Sequence, residues 1–390
     1  MRRKFLPMHD VRYVHCVRYM SCVSLFCFSL LLVGGTASAG SLDLAVHGWG
    51  VGLGNTQNIN GIRINFVDQN VENVNGLNIT LWKPKPNPDA RITGVSLGVV
   101  GFDANRMTGL NVAIIGVYAE MLRGITIAGI GIEGQTVRGF MFAGIGAGVT
   151  SVKGISLALI GIGAQDVSGL FVGGIGAGAS DINGISIAGV GFGAENMKGF
   201  SFSLIGMAAD EMTGVAIAGL GLAGTKARGI FIAGLGMGTN DFTGGAVALL
   251  GIVGDSLRGA AVAGLGLGGS YLRGFFVAGV GIGGRELNGI FLTVGGVGGQ
   301  DLHGGFTGLI GVGAETVRGV ALAGLYFKAE DYFKGFGTGA YTNVGEQHGI
   351  TIGLLNRARE LHGLQIGILN YAGNNRTPFK LLPLINYHGN

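Results

Sequence analysis

The chain has 390 residues, 80 of them glycine, with 12% charged residues, 48% hydrophobic residues and a mean hydropathy of +0.49. That is too apolar for a disordered chain and too glycine-rich for an ordinary helical or α/β domain. The every-third-residue glycine of a collagen helix is absent.

The first element is a leader. Residues 1–39 carry Arg2, Arg3, Lys4, Arg12 and Arg18, then the apolar run CVSLFCFSLLLVGG, then the small-residue site Ala37, Ser38, Ala39. A basic region, an apolar core and an A-x-A site predict an export signal cleaved after Ala39. The leader holds five of the 26 basic residues and one of the 22 acidic ones, which leaves 21 against 21. A neutral mature chain gives no global electrostatic case for nucleic acid or anionic lipid. Cys16, Cys22 and Cys27 also lie in the leader, so the mature chain offers no disulfide, thiolate nucleophile or cysteine metal site.

Residues 40–60, GSLDLAVHGWGVGLGNTQNIN, read as an N-terminal cap. Residues 61–372 follow a clock. Glycine recurs every fifteen residues from Gly94 to Gly319, sixteen times in succession. Gly61 and Gly76 extend the phase backward, and Gly335, Gly349 and Gly363 carry it forward, giving 21 units. One insertion, residues 81–93 (LWKPKPNPDARIT), lengthens its unit to eighteen, and its three prolines predict a stiff projection. Every third unit has a large apolar residue at its sixth position, as in Ile114, Leu159, Leu204, Leu249 and Val294, where most others have glycine.

Within GISIAGVGFGAENMK, from Gly184 to Lys198, each group of five opens on a small residue and has a large apolar residue fourth (Ile187, Phe192, Met197). Alternation within a five is the strand period, and a slip between fives marks a corner. Three short sides per unit describe one coil of a β-solenoid. The eighth position is glycine in fifteen of the sixteen regular units, which predicts a positive φ or a close backbone contact there. Helices are excluded, because several interior glycines would each cost about 1 kcal/mol. The alternative is a transmembrane antiparallel β-barrel, since eleven uncharged residues and a polar turn match a membrane strand of roughly 9–11 residues. Two apolar strand faces and uniformly short connections speak against it.

The last units are worded differently: GITIGLLNRARELH from Gly349 and GLQIGILNYAGNN from Gly363. This wording resembles a family of bacterial surface-repeat proteins built on tandem GLQIGLLN-type motifs. The resemblance implies export to a bacterial surface, with no established activity. Asn356 and Asn370 match the family asparagine, and stacked asparagines could hydrogen-bond from coil to coil. Residues 373–390, with Pro378 and Pro383, read as a C-terminal cap.

Catalytic motifs are sparse. Gly129–Gly134, GIGIEG, fits a dinucleotide fingerprint that a chain one-fifth glycine produces by chance. Gly94–Gly98, GVSLG, fits a nucleophile elbow, but without a triad Ser96 reads as an outward filler. His348 and His362 recur one unit apart near Glu346 and Glu360, and Asp166 and Asp181 stack at position 13. Both sets read as solvated turn residues rather than metal sites. Position 3 is expected to face outward, so Phe171, Phe231, Phe276, Phe291 and Phe306 are expected to form an apolar binding strip.

These readings together predict a non-enzymatic, exported surface repeat protein, at the bacterial cell surface or outer membrane, serving as scaffold or adhesive rod. No catalytic residues, cofactor, metal, nucleic acid or small-molecule substrate are expected. The expected partners are other surface proteins, a second copy, or lipid.

Overall fold

The computed structural model describes residues 40–389, so the leader expected over residues 1–39 lies outside the described residues. The described chain is all-β and divides into two compact units, one ending at Leu204 and the other beginning at Ile205.

The first unit starts with an antiparallel hairpin, β1 (Ser41–Val46) and β2 (Trp49–Gly54). From there the pairing is parallel: β2 with β3 (Asn58–Asn65), then β4 (Asn73–Thr80), β5 (Arg91–Gly98) and onward to β12 (Gly191–Ser203). Register is set by the repeat. Gly161 pairs with Gly176, Asp166 with Asp181 and Gly169 with Gly184, each residue opposite the one fifteen later. The second unit repeats the arrangement from β13 (Gly206–Ala218) to β24 (Leu355–Ala372), and β25 (Leu381–His388) closes it antiparallel on β24.

This is a β-solenoid. Each fifteen-residue repeat is one coil, and within each compact unit successive coils bond to one another through the main chain. The barrel alternative fails on strand direction, because a barrel of short connections pairs its strands antiparallel. Here successive repeats run parallel and in register. Among the described residues no helix is long and apolar enough to cross a membrane.

The glycine clock has a steric cause. From Gly61 to Gly363, the glycine opening each unit has φ between +105° and +142°. A Cβ at Gly199 would sit 2.1 Å from the carbonyl oxygen of Gly184, the equivalent glycine one coil earlier. Side chains are excluded both by the dihedral and by the neighbouring main chain. At the eighth position a positive φ or a close backbone contact was expected, and the structure shows close contact in some coils but a positive φ in only one. Among the regular position-8 glycines only Gly101 has one, at +148°. The contacts at the others vary: a Cβ at Gly311 would lie 2.8 Å from the Tyr326 carbonyl oxygen, and one at Gly131 3.5 Å from the nearest atom.

The insertion does not simply project. Asn87 is buried and its Oδ1 accepts the Val71 N–H at 3.0 Å, while its Nδ2 donates to the Lys85 carbonyl at 2.6 Å. Its own N–H donates to Asp103 Oδ1 at 3.1 Å. Burial raises the Asp103 pKa, with the Asn87 N–H pulling the other way. A folded pKa above the unfolded one means that the ionised carboxylate costs stability at neutral pH. That cost disappears as pH falls through the folded value.

Two substitutions separate the glycine roles. Gly199→Ala should destabilise by about 2–4 kcal/mol, combining positive-φ strain with a main-chain clash. Gly193→Ala, where a Cβ meets nothing within 4 Å, should stay within about 0.5 kcal/mol of the parent. Urea denaturation midpoints of the two variants check both.

Candidate functional site

The inside of each coil is lined by positions 3, 5, 9, 11 and 14. Positions 9 and 14 carry the bulk, as expected: Ile162, Ile252, Leu257 and Leu287 are all fully buried. Positions 5 and 11 are mostly small, as Ala188 and Ala194 show. Position 3 also points inward, and this corrects the expected orientation. Phe171, Phe276 and Phe291 are 0% exposed, and Phe231 and Phe306 are 1% exposed.

These phenylalanines are therefore core residues in the described coils. Phe276, Phe291 and Phe306 form a column with ring centroids 5.3 and 5.4 Å apart and nearly parallel planes. In-register pairing sets that spacing, and offset stacking adds to the burial. Elsewhere position 3 is small or polar, apart from the buried Met141. Ser186 and Ser201 share a hydrogen bond of 2.8 Å, and Ser96 lies buried with its Oγ unpartnered. Ser96 is thus inward, not the outward filler expected of it.

Large apolar side chains are also turned outward. Positions 2 and 4 and the corner at positions 6 and 7 present Ile125, Ile155, Ile185, Ile230, Ile290 and many like them to solvent. Ile185 is 45% exposed while its neighbour Ser186 is 0% exposed. The corner residues protrude most, Ile114 at 65% and Leu249 at 65%. Eleven such side chains lie between Ile114 and Phe200 alone. At about half exposure each, they offer roughly 1,000 Å² of apolar surface in the first unit, about twice the largest patch of a typical monomer. The apolar surface expected from sequence exists, then, but on different residues.

The two ends are polar inside. In the first coil, Arg63 is 0% exposed and pairs with Asp68 at 2.5 Å. Arg63 also donates to Asn78 Oδ1 at 2.9 Å and the Thr56 carbonyl at 3.0 Å, and Thr80 donates to Asp68 Oδ2 at 2.9 Å. A buried pair with its remaining hydrogen-bonding positions used in this way is fixed in one geometry. At the far end, Thr342 Oγ1 donates to Asn356 Oδ1 and Asn356 Nδ2 donates to Asn370 Oδ1, both at 2.7 Å. The stacked asparagines anticipated from the last repeats are present as a buried ladder.

The remaining chemistry candidates are on the surface. His348 and His362 stack at 4.6 Å with planes 17° apart, and Glu346 lies 2.7 Å from His348 Nε2. The donor atoms of Glu346, His348 and His362 come within 4.8 Å of one another. In this arrangement two nearly parallel rings direct their lone pairs alongside each other rather than toward one point, as a shared ion requires. Asp181 accepts from Asn196 Nδ2 at 2.8 Å on the adjacent coil. No family model, curated protein or solved structure matches the chain.

The inverted orientation has a direct test. Phe291→Ser should destabilise by about 3–5 kcal/mol, the cost of emptying a buried aromatic site. Ile290→Ser, at a side chain 51% exposed, should cost less than about 1 kcal/mol. Denaturant unfolding of the two neighbours distinguishes core from surface.

Proposed function

We propose that the chain is a non-enzymatic β-solenoid, exported to a bacterial surface, that works as a scaffold or adhesive element by docking its apolar wall on a partner. The observation carrying this reading is the wall itself. Isoleucines and leucines at positions 2, 4, 6 and 7 stand outside the coil, while the inward positions 3 and 5 between them hold serine or alanine in many coils. A chain that only had to fold in water would gain by the opposite placement, since burying one such side chain is worth about 1.5–3 kcal/mol. The outward aliphatic side chains recur from coil to coil in both units, so they are a property of the repeat and not of one loop.

Support for a structural rather than catalytic role comes from the surface chemistry. Charged groups on the polar face are spread along rows, with neighbours such as Lys226 and Glu211 paired across adjacent coils at 2.8 Å. Support for export rests on the leader composition and on the resemblance of the last repeats to surface-repeat proteins.

The test is expression of the epitope-tagged full chain in a bacterial host. The expected mature N-terminus is Gly40, and the expected location is a surface accessible to protease on intact cells. Substituting Ile155, Ile185 and Ile290 by serine should leave unfolding midpoints nearly unchanged and release the protein into the medium. A chain that keeps residues 1–39 and stays inside the cell, or a wall variant retained as well as the parent, contradicts the reading.

A further inference from the structure

Position 15 borders the wall. It is the residue just before the positive-φ glycine, and positions 2 and 4 follow on the other side of that glycine. Along this row the first unit carries Arg123, Arg138, Lys153 and Lys198. The second carries Arg228, Arg258, Arg273, Arg318 and Lys334. From Asn60 to His362 no aspartate or glutamate occupies the row; its other members are asparagine, threonine, serine and histidine. In-register pairing places row members directly above one another, as with Arg123 and Arg138 or Arg258 and Arg273.

Acidic residues occur nearby, at positions 12 and 13, but they do not neutralise this row. Among the described residues none of these nine cations has a carboxylate within ion-pair distance, whereas Lys226 at position 13 is paired with Glu211. Eight of the nine are exposed, and Arg123 is half-buried. Like charges stacked on neighbouring coils repel one another, and a row without counter-charges is costly unless an anionic partner supplies them.

The two tryptophans of the chain are both exposed and both belong to the first unit. Trp82, at position 7, stacks on Phe66 at 6.0 Å with planes 3° apart, which places a flat aromatic pair at the beginning of the wall. Indole rings in that setting favour the boundary between water and hydrocarbon.

We infer that the wall's partner is an anionic lipid surface: positions 2, 4, 6 and 7 enter the acyl boundary while the position-15 row neutralises lipid phosphates. This rests on the proposed function and names the partner of the same wall. Aliphatic side chains bordered by lysine and arginine without carboxylate partners, with a polar face behind, are the elements of a surface that lies in a bilayer interface. A second copy of the chain would cover the aliphatics but would bring a second cationic row and no compensating anions to it. The lipid surface satisfies both observations at once.

The test uses the full chain with vesicles of phosphatidylcholine alone and of phosphatidylcholine with about one-third phosphatidylglycerol, read by co-sedimentation and tryptophan emission. Binding to the anionic vesicles, with a blue shift and a decline as salt rises from 0.05 to 0.5 M, is expected. Each neutralised row residue should weaken binding about fivefold. Arg258→Gln, Arg273→Gln and Arg318→Gln together should therefore weaken it about a hundredfold, while Lys226→Gln should not reproduce the per-site loss. Equal binding to both vesicle types, unchanged by the triple substitution, overturns the inference but leaves the wall as the docking surface. Wall-dependent self-association with no vesicle binding does the same. Undiminished binding by the Ile155, Ile185 and Ile290 serine variant overturns both the inference and the proposed function.

Discussion

The whole architecture depends on the in-register main-chain ladder in which each residue pairs with its counterpart one coil away. That ladder requires neighbouring coils to approach to hydrogen-bond distance at every side, including the corner where each unit begins. At Gly184, a Cβ would stand 2.2 Å from the carbonyl oxygen of Gly169. Glycine at that one position is what lets the coils close on each other. Once they do, every side chain lies over its own repeat equivalent, and rows of like residues become the natural surface feature. Phenylalanine columns, asparagine ladders, aliphatic walls and cationic rows all descend from that single constraint.

Rows also explain where the protein spends polarity. The repeat middle tolerates serine and alanine inside because five inward positions per coil give a narrow core with two bulky columns. Toward the antiparallel strands at the start of the first unit and the end of the second, hydrogen-bonded networks take over. Arg63 and Asp68 sit beneath the hairpin of β1 and β2, and Asn356 and Asn370 sit beneath β25. Antiparallel strands at both extremes cover edges that would otherwise template further pairing.

The period was legible in the sequence because glycine cannot be replaced at the corner, so its spacing records the coil length without ambiguity. The asparagine ladder was legible for a similar reason, since the wording of the chain changes in the last repeats. The faces were not. Positions 2 and 4 hold larger and more apolar residues than positions 3 and 5, so hydropathy alone turns Ile185 inward and Phe276 outward. The structure keeps one parity across the opening glycine, with Met197, Ser201 and Ser203 buried on either side of an exposed Gly199. The slips fall instead at the adjacent outward positions 12 and 13 and at the corner of positions 6 and 7. Hydropathy failed there because the wall is shaped for something other than water. The cationic row shares that origin: its members are scattered in sequence and align only when coils stack.

The most direct measurement is cysteine accessibility along a single coil of the chain from Gly40, which has no cysteine of its own. Ser186→Cys is nearly isosteric, and Ile185→Cys and Val190→Cys are its outward neighbours. A water-soluble maleimide should label Cys at 185 and 190 within minutes and leave Cys at 186 protected until the chain is unfolded. Rapid labelling at 186 with protection at 185 would put the isoleucines inside, and the apolar wall, with everything built on it, would be contradicted.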